Sequence, residues 1–66
     1  MNQNLFTDQE AIFIHMSLVN DAAYIYSVEN NDEFNMRIVL RAYGYPCSPE
    51  AAETQIRIAN EFGMAA

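Results

Sequence analysis

Apolar residues crowd the first half of the chain: "AIFIHMSLVNDAAYIY", residues 11–26, is interrupted only by His15, Ser17, Asn20 and Asp21. Just before it stands "TDQE" at 7–10. This is a capping box, in which the Thr7 hydroxyl accepts from the Glu10 amide and the Glu10 carboxylate reaches back to the Thr7 amide. A helix is expected to start at Asp8. At about 100° per residue, Ala11, Ile12, Ile14, His15, Met16, Leu18, Val19, Ala22, Ala23, Ile25 and Tyr26 fall on one arc about 200° wide. Gln9, Glu10, Ser17, Asn20, Asp21 and Ser27 occupy the remainder. So broad an apolar arc predicts a central helix over 8–29, covered by two other helices or by one helix and a second chain.

Two more elements can be read from their ends. In "NNDEF" Asn30 or Asn31 can cap, and Asp32 and Glu33 set negative charge against a helix N-terminus. In "RAYGYP" Gly44 suits the left-handed residue after a helix, Tyr45 folds back apolar surface and Pro46 forbids continuation. The pattern predicts a helix over 32–43 with Met36, Val39, Leu40 and Tyr43 inward and Glu33, Arg37 and Arg41 outward. "SPE" supplies Ser48 as N-cap and Pro49 at the first helical position, and Gly63 closes the element, so a third helix is expected over 49–62. Its apolar stripe is Ala51, Ala52, Gln55, Ile56, Ile58, Ala59 and Phe62, with Glu53, Arg57 and Glu61 as a charged outer ladder.

The expected fold is therefore all-α, a compact three-helix bundle forming a single small domain over residues 1–66. The competing reading is a three-stranded antiparallel meander plus a C-terminal helix. "IFIHMSLV" and "AAYIYSV" are rich in β-branched and aromatic residues, and "ND" can turn between them. The capping box and the segregation of polar residues favour the helix.

Length sharpens the picture. A chain of 66 residues buries only about 60% of its unfolded surface, and such chains often lean on disulfides, a metal or a partner. Cys47 stands alone and, with the one histidine, His15, makes no zinc set, so no metal and no cofactor is expected. A partner chain, a second copy included, gains weight.

Nine acidic residues against three arginines and no lysine give a net charge of −6. That charge repels phosphate backbones and disfavours direct nucleic-acid binding, so none is expected. The helix-turn-helix outline in "VLRAYGYPCSPEAAETQIRIA" fails on the same ground, because its second helix opens with Glu50 and Glu53. The N-terminal "MNQNLFTDQE" has no basic region of the kind that precedes a signal sequence. His15, Asn20 and Asp21 break the apolar run, so no membrane span is expected. A cytoplasmic setting follows, and a lone thiol fits it.

Three groups of residues are singled out. His15 and Gln55 each fall at the centre of an apolar stripe and are expected to satisfy one another as a core polar pair. Cys47 stands at a helix N-terminus but has no evident base and is read as a loop residue. Phe13, Tyr24 and Val28 fall on the polar side of the first helix, where they either lie under the N-terminal arm "NQNLF" or form a partner-binding patch that Tyr43 and Tyr45 extend. Glu10, Asp21, Glu29, Asp32 and Glu33 supply its acidic rim.

There is no catalytic triad, no closely spaced carboxylate pair in an apolar run, no glycine-rich phosphate loop and too little chain to enclose a substrate cleft, so an enzyme is not expected. The leading expectation is a non-enzymatic protein-binding module: a small acidic inhibitor or modulator, of a size and charge that suit a phage or plasmid product, docking on a larger protein. The alternatives are a homodimeric assembly protein and an acidic nucleic-acid mimic that blocks a DNA- or RNA-binding enzyme.

Overall fold

The computed structural model describes residues 8–63, and every regular element within them is a helix. Four helices follow one another: α1 (Asp8–Val19), α2 (Ala22–Glu29), α3 (Glu33–Ala42) and α4 (Pro49–Glu61). Thr7 of the capping box and the N-terminal arm lie outside the described residues.

The expected helix over 8–29 is two helices. Asn20 adopts φ 59°, the left-handed region, and its amide donates to the Met16 carbonyl at 2.9 Å, which ends α1. Asp21 then caps α2: its backbone is extended and its Oδ1 accepts from the Tyr24 amide at 2.9 Å. The "ND" pair does turn the chain, but between helices rather than strands. An asparagine that tolerates the left-handed region, followed by an aspartate that satisfies the next helix's free amides, outweighs the apolar periodicity running through both.

The same device recurs at the next junction. Asn30 and Asn31 were expected to open the next helix; instead they close α2. Asn31 has φ 51° and donates to the Val28 carbonyl, while the Asp32 amide donates to the Ser27 carbonyl at 2.8 Å. Asp32 is the residue that caps α3, accepting from the Asn35 amide. After α3, Gly44 (φ 79°) and Tyr45 donate to the Arg41 and Leu40 carbonyls, the termination that "RAYGYP" predicts. Ser48 caps α4 with Pro49 at its start, also as expected.

The central element is α4, not the first helix. It packs against α1, α2 and α3, and α3 also packs against α2. Ala51, Ala52 and Ala59 on its buried face let three neighbours approach its backbone, and Gln55, Ile56 and Ile58 fill the gaps between them. Met36, Val39 and Leu40 come in from α3. Ile12, Phe13 and Met16 come from α1, and Tyr24, Ser27 and Val28 from α2.

The apolar arc over 8–29 is thus largely inverted. Met16 and Ile12 are inside as expected, but Ile14, Leu18, Val19 and Tyr26 are exposed, while Phe13, Tyr24 and Val28 are buried. Two apolar stripes compete on α1. The one carrying Ile12, Phe13 and Met16 presents more apolar volume than the one carrying Ala11, Ile14, His15 and Leu18, so its burial removes more apolar surface from water. Beyond the break at Asn20 the helical phase restarts, and Tyr24, Ser27 and Val28 form a new inward stripe. Tyr43 and Phe62, expected inside, are partly and largely exposed respectively.

The two left-handed asparagines set a stability prediction. Asn20→Val and Asn31→Val should each lower the unfolding free energy by roughly 1–2 kcal/mol, the cost of placing a branched L-residue in that region. Asn→Gly at either position should cost nothing measurable in urea-melt midpoints.

Candidate interaction surface

Gln55 is buried, as expected, but its partners differ from expectation. Its Oε1 accepts from the Tyr24 hydroxyl at 2.6 Å. Its Nε2 donates to the Gln9 backbone carbonyl at 2.7 Å and to Gln9 Oε1 at 2.8 Å. One amide on α4 therefore ties α2 to the start of α1, and both Tyr24 and Gln55 have 0% exposure. Burial pushes the Tyr24 phenol well above its ordinary value, because a phenolate there would lose its hydration.

His15 is not the partner of Gln55. It is exposed on the outer side of α1, where its Nδ1 shares a hydrogen bond with the Tyr45 hydroxyl. Its ring stands edge-on to Tyr43 and Tyr45, with centroids 6.1 and 5.8 Å away, and those two tyrosines stack within 9° of parallel. The Tyr43 hydroxyl donates to Asp21 Oδ2 at 2.6 Å. That bond, with the capping bond from the Tyr24 amide, holds the Asp21 carboxyl below its ordinary value and the Tyr43 phenol above its own. The turn after α3 is thereby pinned to the α1–α2 junction by the Tyr43 hydroxyl and to α1 itself by the Tyr45 hydroxyl.

Of the residues expected to meet a partner, Phe13, Tyr24 and Val28 belong to the core. The rings of Phe13 and Phe62 meet at 83° with centroids 5.1 Å apart. Tyr43 is partly exposed and Tyr45 half-buried. The expected acidic rim divides: Asp21 and Asp32 are engaged as helix caps and half-buried, Glu10 is half-buried, and Glu29 and Glu33 are exposed. Cys47 is half-buried, packs against the core and has no partner thiol. No group of metal ligands occurs among the described residues. No helix among them is long and apolar enough to cross a membrane.

Among the described residues, a stripe on α1 is left largely uncovered. Ala11, Ile14, His15 and Leu18 follow the i, i+3, i+4, i+7 spacing of one helix face and are all exposed, Leu18 to 80%. Val19 and, on α2, Tyr26 are exposed as well. The signal for this stripe was present in the sequence as the apolar arc; what was missing was the competing stripe that took the core. No protein-family model, curated protein or solved structure matches the chain.

Tyr24→Phe should lower stability by about 1–3 kcal/mol, because it leaves buried Gln55 Oε1 without its donor. Tyr26→Phe, which alters an exposed phenol, should be silent in the same urea titration.

Titration has a definite sign at each end. Tyr24 and Tyr43 have raised pKa values, so what they contribute is fully present below their ordinary value near 10 and is lost as pH rises through the folded values. Asp21 has a lowered one, so its contribution is present above about 3.8 and is lost as pH falls through the folded value. In melts across pH 2–7, the stability gap between the wild type and Asp21→Ala should narrow at the acid end.

Proposed function

We propose that this chain is a small acidic helical module that modulates a larger protein by docking on it, with the outer stripe of α1 as the contact. The observation that carries this reading is the exposure of Ile14 and Leu18 at helical spacing on an element whose opposite side is already anchored in the core. An amphipathic helix offering anchors at i, i+3, i+4 and i+7 suits insertion into an apolar groove on a partner. Its own core side holds it rigid, which lowers the ordering cost of association. The net charge of −6 favours a partner with basic residues around that groove, since opposite fields speed encounter and disfavour wrong partners.

Photo-crosslinking from position 18, with position 53 on α4 as an exposed control, tests the reading. In the producing cells, position 18 should yield an adduct with a larger protein, absent from position 53 and abolished by Ile14→Asp. Leu18→Asp should leave stability within about 0.5 kcal/mol, as expected for a surface site. An adduct of two copies of this chain would replace the reading with self-assembly, and equal yields from both positions would overturn it.

A further inference from the structure

On the outer face of α3, Phe34, Arg37, Ile38 and Arg41 stand at i, i+3, i+4 and i+7, and with Cys47 they line a shallow groove of about 210 Å³. Phe34 is 72% and Ile38 52% exposed. Two of the chain's three arginines meet here, and no acidic residue lines the groove. Glu33 is one turn from Arg37 in sequence, yet among the described residues no carboxylate pairs with either guanidinium. Arg37 Nε donates to the Cys47 carbonyl at 2.9 Å, which leaves its two terminal nitrogens without a protein hydrogen bond among the described residues.

We propose that this groove is a second binding site, independent of the α1 stripe, for an acidic segment of a protein in which a bulky apolar residue is flanked by Asp or Glu. The apolar side chain rests on Phe34 and Ile38 while the flanking carboxylates meet Arg37 and Arg41. Guanidinium and carboxylate match in planar two-point geometry, and such charge-assisted bonds are the stronger kind. The volume is below the roughly 300–1,000 Å³ of sites that enclose a drug-sized ligand, so it takes one side chain of a peptide rather than a whole small molecule. The chain's negative charge elsewhere does not veto an acidic ligand, because at about 0.15 M salt fields decay over about 8 Å and the nearest charges decide.

The test is fluorescence anisotropy of the labelled peptide DLEEFD at 0.15 M salt, against the intact chain. Saturable binding is expected, with Arg41→Ala weakening it about tenfold or more, the scale of a lost charged hydrogen bond. Arg57→Ala makes the same change in net charge on the outer face of α4 and should leave binding unchanged. The peptide DGEEGD, which lacks the apolar anchors, should bind at least tenfold more weakly than DLEEFD. Helical circular dichroism of each variant confirms folding, and Phe34→Ala, at an exposed position, provides a second lesion that retains both charges and should also weaken binding. Absence of saturable binding, equal loss from Arg57→Ala and Arg41→Ala, or equal affinity for the two peptides would each overturn the proposal.

Discussion

The buried side-chain amide of Gln55 is the constraint around which the other elements are arranged. A fully buried amide left without partners would cost roughly 1–3 kcal/mol, a large fraction of what so short a chain can hold in reserve. Here both its ends are used: the Tyr24 hydroxyl donates to the oxygen, and the nitrogen donates to two oxygens of Gln9. These bonds specify which residue of α2 faces α4 and where α1 begins against it. Apolar packing alone would tolerate neighbouring rotations of either helix. The flanking alanines make such an arrangement feasible, since they allow the surrounding helices to come close enough for short side chains to bond across the core.

A second consequence follows for α1. Once Gln9 is tied to Gln55, the face of α1 that includes Ile12, Phe13 and Met16 turns inward, and the stripe with Ile14 and Leu18 must turn outward. Four short helices offer no further element to cover it among the described residues. The exposed stripe is therefore what remains once the larger apolar face and the Gln9–Gln55 bonds have together set the inward side of α1. The tyrosine turn at 43–45 reinforces this orientation from outside, through Asp21 and His15.

The acidic residues divide by role in a way that composition conceals. Asp21 and Asp32 act at helix starts, where a carboxylate satisfies free amides. Two of the three arginines, Arg37 and Arg41, line one groove on α3, with exposed Glu33 one turn before Arg37. Net charge describes encounter at long range; the chemistry of contact is set by the few side chains at each face.

The sequence by itself determined the helical class, the boundaries of α3 and α4 to within a residue or so, the inward faces of those two helices apart from Tyr43 and Phe62, and the burial of Gln55. Each of these rests on local chemistry: Ser48 before Pro49, Gly44 before Pro46, and one dominant apolar stripe per helix, although Phe34 and Ile38 of α3 lie outside it. Only the tertiary structure decided the break at Asn20 and Asp21, the choice between the two apolar stripes of α1, and the partners of His15 and Gln55. Local periodicity cannot rank two apolar faces on one helix, because which is buried depends on what the neighbouring helices present. Nor can it pair polar side chains such as Tyr24 and Gln55, 31 positions apart in the chain. The candidate surface was visible in the sequence as apolar residues, but its exposure was not, since exposure is a property of what remains after the core has been filled.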